Sequence, residues 1–218
     1  MYGLGEVCPG VKVEPGTNLL VAGPPMTGKR TLALEILAHG SRRGDGTIVV
    51  TTKDGGEDVR EDLRELLGRD ESGPVGIVDC VSKQQGMNPS QSDHIAYASS
   101  PKDMTGIGIQ LSEFLQGFYK EKNVQRNRIL LHSLSTLLMY SNLQTVFRFL
   151  HVFTGRVQSA DALGVFVIDS TAHDQQTMST LQQLFDGQIE VREGEDNHSE
   201  LRVKGIGNDT DWRPVPGR

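Results

Sequence analysis

Gly23, Gly28 and Lys29 stand at the spacing Gly-x-x-x-x-Gly-Lys within GPPMTGKRT, residues 23–31. Residues of these types at this spacing can cradle phosphate. The glycines permit positive φ and close backbone approach. The backbone N–H groups of a turn that opens a helix converge on an anion, and a lysine ammonium reaches the outer phosphates. The loop comprises Gly23, Pro24, Pro25, Met26, Thr27, Gly28 and Lys29, with Arg30 and Thr31 beginning the helix after it. A hydroxyl normally follows the lysine and contributes a ligand to Mg²⁺. Arg30 holds that place, and a guanidinium cannot coordinate a cation. Thr31 lies about 100° further around a helix and needs a register change to serve as the metal ligand. Arg30 either points away or offers a charge-assisted bond to phosphate, replacing part of the metal's charge.

The bare motif is short, and its context is what makes it informative. TNLLVAG (17–23) is an apolar run that reads as a buried strand, and residues 28–39 read as a helix apolar almost all round. The remaining chain repeats that alternation. Strands are expected at 46–52, 75–81, 128–134 and 164–170. Helical stripes are expected at 57–67, 107–118, 143–153 and 175–185, with a long polar excursion over 82–104. GQIEVRE and SELRVKG (187–193, 199–205) alternate around the polar break GEDNH, which predicts a terminal hairpin. Continuous apolar strands between amphipathic helices predict a three-layer α/β fold: a mostly parallel sheet, covered on both faces, with a C-terminal antiparallel hairpin.

The 218 residues fit a single domain over 1–218, with roughly the last 10 residues as a tail. A net charge of −6 argues against a broad nucleic-acid surface, so DNA is not an expected partner. No apolar stretch is long enough for a membrane helix, and the N-terminus lacks signal-peptide regions. Cys8 and Cys80, far apart, read as reduced thiols, and a cytoplasmic location is expected.

VEPGTNLLVAGPPMTGKRTLALEIL (13–37), IVVTTKDGGEDVREDLREL (48–66), RNRILLHSLSTLLMY (126–140) and LFDGQIEVREGEDNHSELRVKGIG (184–207) occur in this order. Together they resemble the RecA superfamily, particularly its KaiC-like branch found in archaea alongside recombinase paralogues. The resemblance covers nearly the whole chain. It implies a RecA-like P-loop NTPase core that binds ATP, and self-association or a related ATPase subunit as partner.

Matched position by position, the hydrolytic parts of that family are altered. Its Walker B aspartate falls on His132, whose neutral ring supplies no charge to a hard cation. Its paired glutamates fall on Lys53 and Asp54, which leaves Asp54 as the candidate catalytic carboxylate. In the hairpin Lys204 matches the family's phosphate-reaching lysine, and Ile206 replaces the arginine. His173, in the loop after the strand 164–170, is a candidate sensor of the phosphate end. Asp174 beside it is at least as well suited to cap the following helix.

Three readings stay open. The first is an ATP-binding regulatory or scaffold protein with weak or absent hydrolysis. The second is an active ATPase using Thr31 for the metal and Asp54 to orient water, acting on or near DNA. The third is a structural pseudo-ATPase subunit with Arg30 filling the phosphate space. The helix face EDVREDLREL (57–66) reads as solvated, RNR (126–128) as a solvent-facing strand start, and Trp212 as docking on this domain or on a neighbour.

Overall fold

The computed structural model describes residues 1–68, 73–194, 198–207 and 209–216. Residues 195–197, inside the expected hairpin break, and 217–218 of the tail lie outside them. A two-stranded β1 (Tyr2–Gly3) and β2 (Lys12–Val13) ladder precedes the central sheet. That sheet contains β3 (Asn18–Gly23), β4 (Gly46–Thr51), β5 (Val75–Asp79), β6 (Ile95–Tyr97), β7 (Asn127–His132), β8 (Leu163–Asp169), β9 (Gly187–Glu193), β10 (Ser199–Lys204) and β11 (Arg213–Pro214). Their order is β11-β10-β9-β3-β8-β7-β4-β5-β6. Pairing is parallel from β9 through β6, and antiparallel for β9–β10 and β10–β11.

The apolar runs are buried because both faces are covered. Leu19, Val21 and Val49 pack under α1 (Lys29–Ser41) and α2 (Gly56–Leu67). Leu20, Ala22, Ile48 and Val50 pack on the other side, with α3 (Met104–Lys120), α4 (Leu134–Tyr140), α5 (Leu143–Ser159) and α6 (Gln175–Gln182). Alternate residues of one strand thus feed two cores, as the pleat requires. Asp174 caps α6, its carboxylate accepting from the Thr177 N–H at 2.7 Å.

Several elements differ from the sequence expectation. The polar segment 82–104 contains the short edge strand β6. The chain after β7 forms α4, whose seven residues are too few to display a helical period. Arg128, expected at a solvent face, is 1% exposed. It donates to the Asp45 carboxylate at 2.9 Å and to the Gly3 and Ile36 carbonyls at 2.8 Å each. Its guanidinium crosses α1 at Gly40, where a side chain would collide with it. Trp212 docks on its own domain, its ring against the guanidinium groups of Arg192 and Arg202 at 4.1 and 4.5 Å. No helix among the described residues is long and apolar enough to cross a membrane.

Candidate functional site

The parallel strands end along one edge, where loops that leave successive strands bound a crevice. Here that crevice is a cleft of about 450 Å³. β3 delivers the loop 23–28, and Gly23 packs so closely on β9 that a side chain there would strike the Val191 carbonyl. Gly28 caps α1 at φ 79°. Met26, at φ 62°, holds the left-handed conformation at the loop tip and is 97% exposed. Thr27 closes the turn by donating to the Pro24 carbonyl at 2.9 Å.

Lys29, only 4% exposed, donates to the same Pro24 carbonyl and pairs with the Asp169 carboxylate at 2.9 Å. Asp169 ends β8, and its N–H donates to the Ser135 hydroxyl of α4 at 3.0 Å. The same hydroxyl lies 2.9 Å from His173 Nε2, so Ser135 ties α4 to the loop after β8.

Arg30 turns into the cleft. Its Nε lies 2.9 Å from Asp54 Oδ2, and its Nη2 bonds the Asp62 carboxylate of α2. The turn carrying Asp54 is fixed on β4, where the Thr51 hydroxyl donates to the Asp54 carbonyl at 2.7 Å. A further bond from the Ser133 N–H to the Thr52 hydroxyl, at 2.8 Å, fastens this turn to the end of β7. The His132–Ser133 peptide there is cis.

His132 is 8% exposed and its Nδ1 sits 3.6 Å from Asp54 Oδ2, beyond hydrogen-bond range. Burial pushes its pKa down from 6.5 to about 4, against the pull of Asp54 and with the added push of Arg30 and Lys53. The unfolded chain takes up this proton near pH 6.5 and the folded chain only near pH 4. The stability contribution is therefore full above about pH 6.5 and is lost as the pH falls from there through 4. Urea unfolding at pH 7.5 and 4.5 is expected to show a loss on the order of 2 kcal/mol from this group. His132→Gln should remove that share of the slope; an unchanged slope would show a charged imidazole in the folded protein.

The cleft wall comprises Lys29, Arg30, Lys53, Asp54, Asp58, Asp62, His132 and Asp169, with Met26, Gly28 and Val167. Three cations face four carboxylates, leaving a formal charge of −1 with His132 neutral. Among the residues expected at a site, Lys29, Arg30, Asp54 and His132 thus converge, with Gly23, Pro24, Pro25 and Thr27 shaping the loop behind them. Three others stand apart. Thr31 is exposed and outside the cleft wall. His173 engages Ser135, and Lys204 pairs with Glu190 at 3.2 Å on the hairpin. Asp58 and Asp62 come from the helix face expected to be solvated. Their i,i+4 spacing was the available sign that two carboxylates share one side of α2.

This donor set does not fit a hydrolytic Mg²⁺ site. Thr31 is outside the wall, His132 at the end of β7 is a neutral imidazole, and the Asp54, Asp62 and Asp169 carboxylates already pair with cations. Among the described residues no group of three or more His, Cys, Asp or Glu is placed to hold a metal ion. The phosphate cradle fits better, since the left-handed Gly28 turn and Lys29 are both in place.

Residues 16–191 match a protein family described as a family of unknown function (DUF7504). No curated protein matches the chain. Among solved structures, a KaiC-like protein from the hyperthermophilic archaeon Pyrococcus horikoshii is similar at a TM-score of 0.58. The match covers 92% of this chain and 82% of that one at 16% sequence identity, which shows a shared RecA-like fold.

Proposed function

The chain belongs to the DUF7504 family, and from its RecA-like fold and the pairing of its cleft charges we propose an ATP-binding regulatory or scaffold protein that does not turn ATP over. The observation that carries this reading is Arg30 bound to Asp54. The carboxylate best placed to orient an attacking water is held by a guanidinium, and the neighbouring position is Lys53. Phosphoryl transfer depends on positioning and electrostatics at these places. The loop and Lys29 still support phosphate binding.

Because Asp169 occupies Lys29 and the cleft is slightly anionic, affinity is expected to be modest. A domain without turnover acts through what it touches, so a second copy or a related ATPase subunit is the partner proposed. The buried free thiols Cys8 and Cys80 accord with a reducing, cytoplasmic setting.

Calorimetric titration with ATP should give saturable heat at up to millimolar nucleotide. Phosphate release should not exceed that of Lys29→Ala. Lys29-dependent turnover of about 1 s⁻¹, the low end for phosphoryl-transfer enzymes, would establish the active ATPase instead. The structural pseudo-ATPase is the second reading, favoured by Lys29 and Arg30 both being satisfied by the protein's own carboxylates. Absence of heat and of any thermal shift would decide for it.

A further inference from the structure

We propose that the groove between α3 and α5 is a docking site for a helix of a partner protein, apolar along one face and flanked there by carboxylates. The groove shares no lining residue with the cleft, so this inference stands apart from the nucleotide-binding reading.

The groove measures about 360 Å³ and runs between the first turns of α3 and the outer face of α5. Its floor is preformed, the Phe149 and Phe153 rings meeting edge to face with centroids 5.6 Å apart. Ile109 of α3 and Val152 of α5 line it and are 50% and 55% exposed, so two large apolar side chains stand against water. Arg156 crosses from α5 to α3 and donates to the Gly108 carbonyl at 2.6 Å, a path that a side chain at position 108 would block. Its planar fork is thereby held at the groove, with N–H donors to spare for a carboxylate.

Charge selects the occupant. The wall holds Arg148 and Arg156 and no carboxylate, and among the described residues neither arginine has an ion-pair partner. Helix α5 contains no Asp or Glu, and Glu113, the carboxylate of α3, lines a separate pocket. Arg148, Val152 and Arg156 follow one another at i, i+4 and i+8, which spaces the two arginines about 12 Å along the helix with an apolar residue between them. A partner helix with Asp or Glu about two turns apart around an apolar stripe meets both. Screening acts within about 8 Å at physiological salt, so the two arginines, rather than the net charge of −6, govern a helix seated between them.

The backbone favours a helix over an extended segment, because α3 and α5 satisfy their own backbone groups and offer no strand edge. A convex helix also reaches the buried Phe153 floor below the rim, which a plane of lipid does not. A second copy does not supply the acidic helix, since α2 already buries Val59, Leu63 and Leu67 in its own domain.

The test is selection of a phage-displayed library of helical peptides of about 18 residues, five turns, against the full chain. Fluorescence anisotropy with the enriched peptide then gives its affinity. Enriched sequences are expected to carry Asp or Glu about two turns apart around an apolar stripe, and the same peptide with Lys at those places should not bind. Arg148→Glu and Val152→Asp are each expected to weaken binding at least about tenfold, the scale of one charge-assisted hydrogen bond. Both positions are exposed, and thermal melting checks that the variants fold. Absence of enrichment, enrichment of basic or uncharged sequences, or affinity unchanged in folded Arg148→Glu would overturn the proposal. Dimerisation, or binding to phosphatidylglycerol vesicles, that Val152→Asp abolishes would overturn it in favour of a second copy or a membrane surface.

Discussion

Arg128→Ala is expected to lower folding stability by about 3–5 kcal/mol, the cost of removing one partner from a buried ion pair. For a domain of this size that corresponds to a fall in melting temperature of roughly 6–20 °C. Arg128 is 1% exposed and joins three parts of the chain: Asp45 before β4, Gly3 in β1 and Ile36 in α1. Burial pushes its pKa down, and the Asp45 carboxylate opposes that shift. Truncation leaves two carbonyls without their donor and opens a void beside Gly40. Asp45 keeps Arg126 as a partner at 3.0 Å, which places the result nearer the lower end of the range. The Tyr2 ring beneath both guanidinium groups should loosen, so fluorescence or proteolysis of the N-terminal segment reports the same event. A melting temperature within 2 °C of the parent would show that the pair is not what fastens β1 to the sheet.

Lys29→Ala and Asp169→Asn are expected to shift ATP affinity in opposite directions. Removing Lys29 deletes the buried ammonium of the cradle and leaves Asp169 facing the phosphates. Loss of one partner of a buried charged pair costs about 2–5 kcal/mol, so a fall in affinity of about two orders of magnitude is expected. Asp169→Asn removes the internal competitor for Lys29 and turns the cleft charge from −1 to neutral. A gain of about tenfold is expected, near the strength of one charge-assisted hydrogen bond. Asparagine keeps the backbone N–H that donates to Ser135, so the loop after β8 should hold its place. Calorimetry on the three proteins checks both directions. Equal affinity in parent and Asp169→Asn would mean that the Lys29–Asp169 pair does not compete with phosphate.

The fold was legible where local sequence and tertiary demand coincide. NLLVAG, GTIVVT and LGVFVID are apolar throughout or nearly so because a parallel sheet is buried on both faces, and that requirement is written into each strand separately. The terminal hairpin was legible for the converse reason, since β9 and β10 alternate with one half-exposed face. Short elements were not. β6 and α4 have three and seven residues, too few for a period to emerge from their composition. Arg128 misled because a charged residue at a strand's start ordinarily meets water. Its burial depends on an aspartate 83 positions away and on a glycine in helix α1.

By itself the sequence determined that a glycine-bounded loop with a lysine joins the first long strand to a helix. Matched to the RecA superfamily, which it resembles, it places Arg30, Lys53, His132 and Ile206 where that family carries other residues. The loop is a matter of residue type and spacing; the altered positions are what the resemblance implies. Only the tertiary structure decided where Arg30 goes and what meets it. Asp54 and Asp62 reach it from two different elements, and Asp169 reaches Lys29 from the end of a neighbouring parallel strand. Ion pairing falls off with distance in space and is indifferent to distance along the chain. A charge balance assembled from four segments therefore exists only once the sheet has brought their ends together.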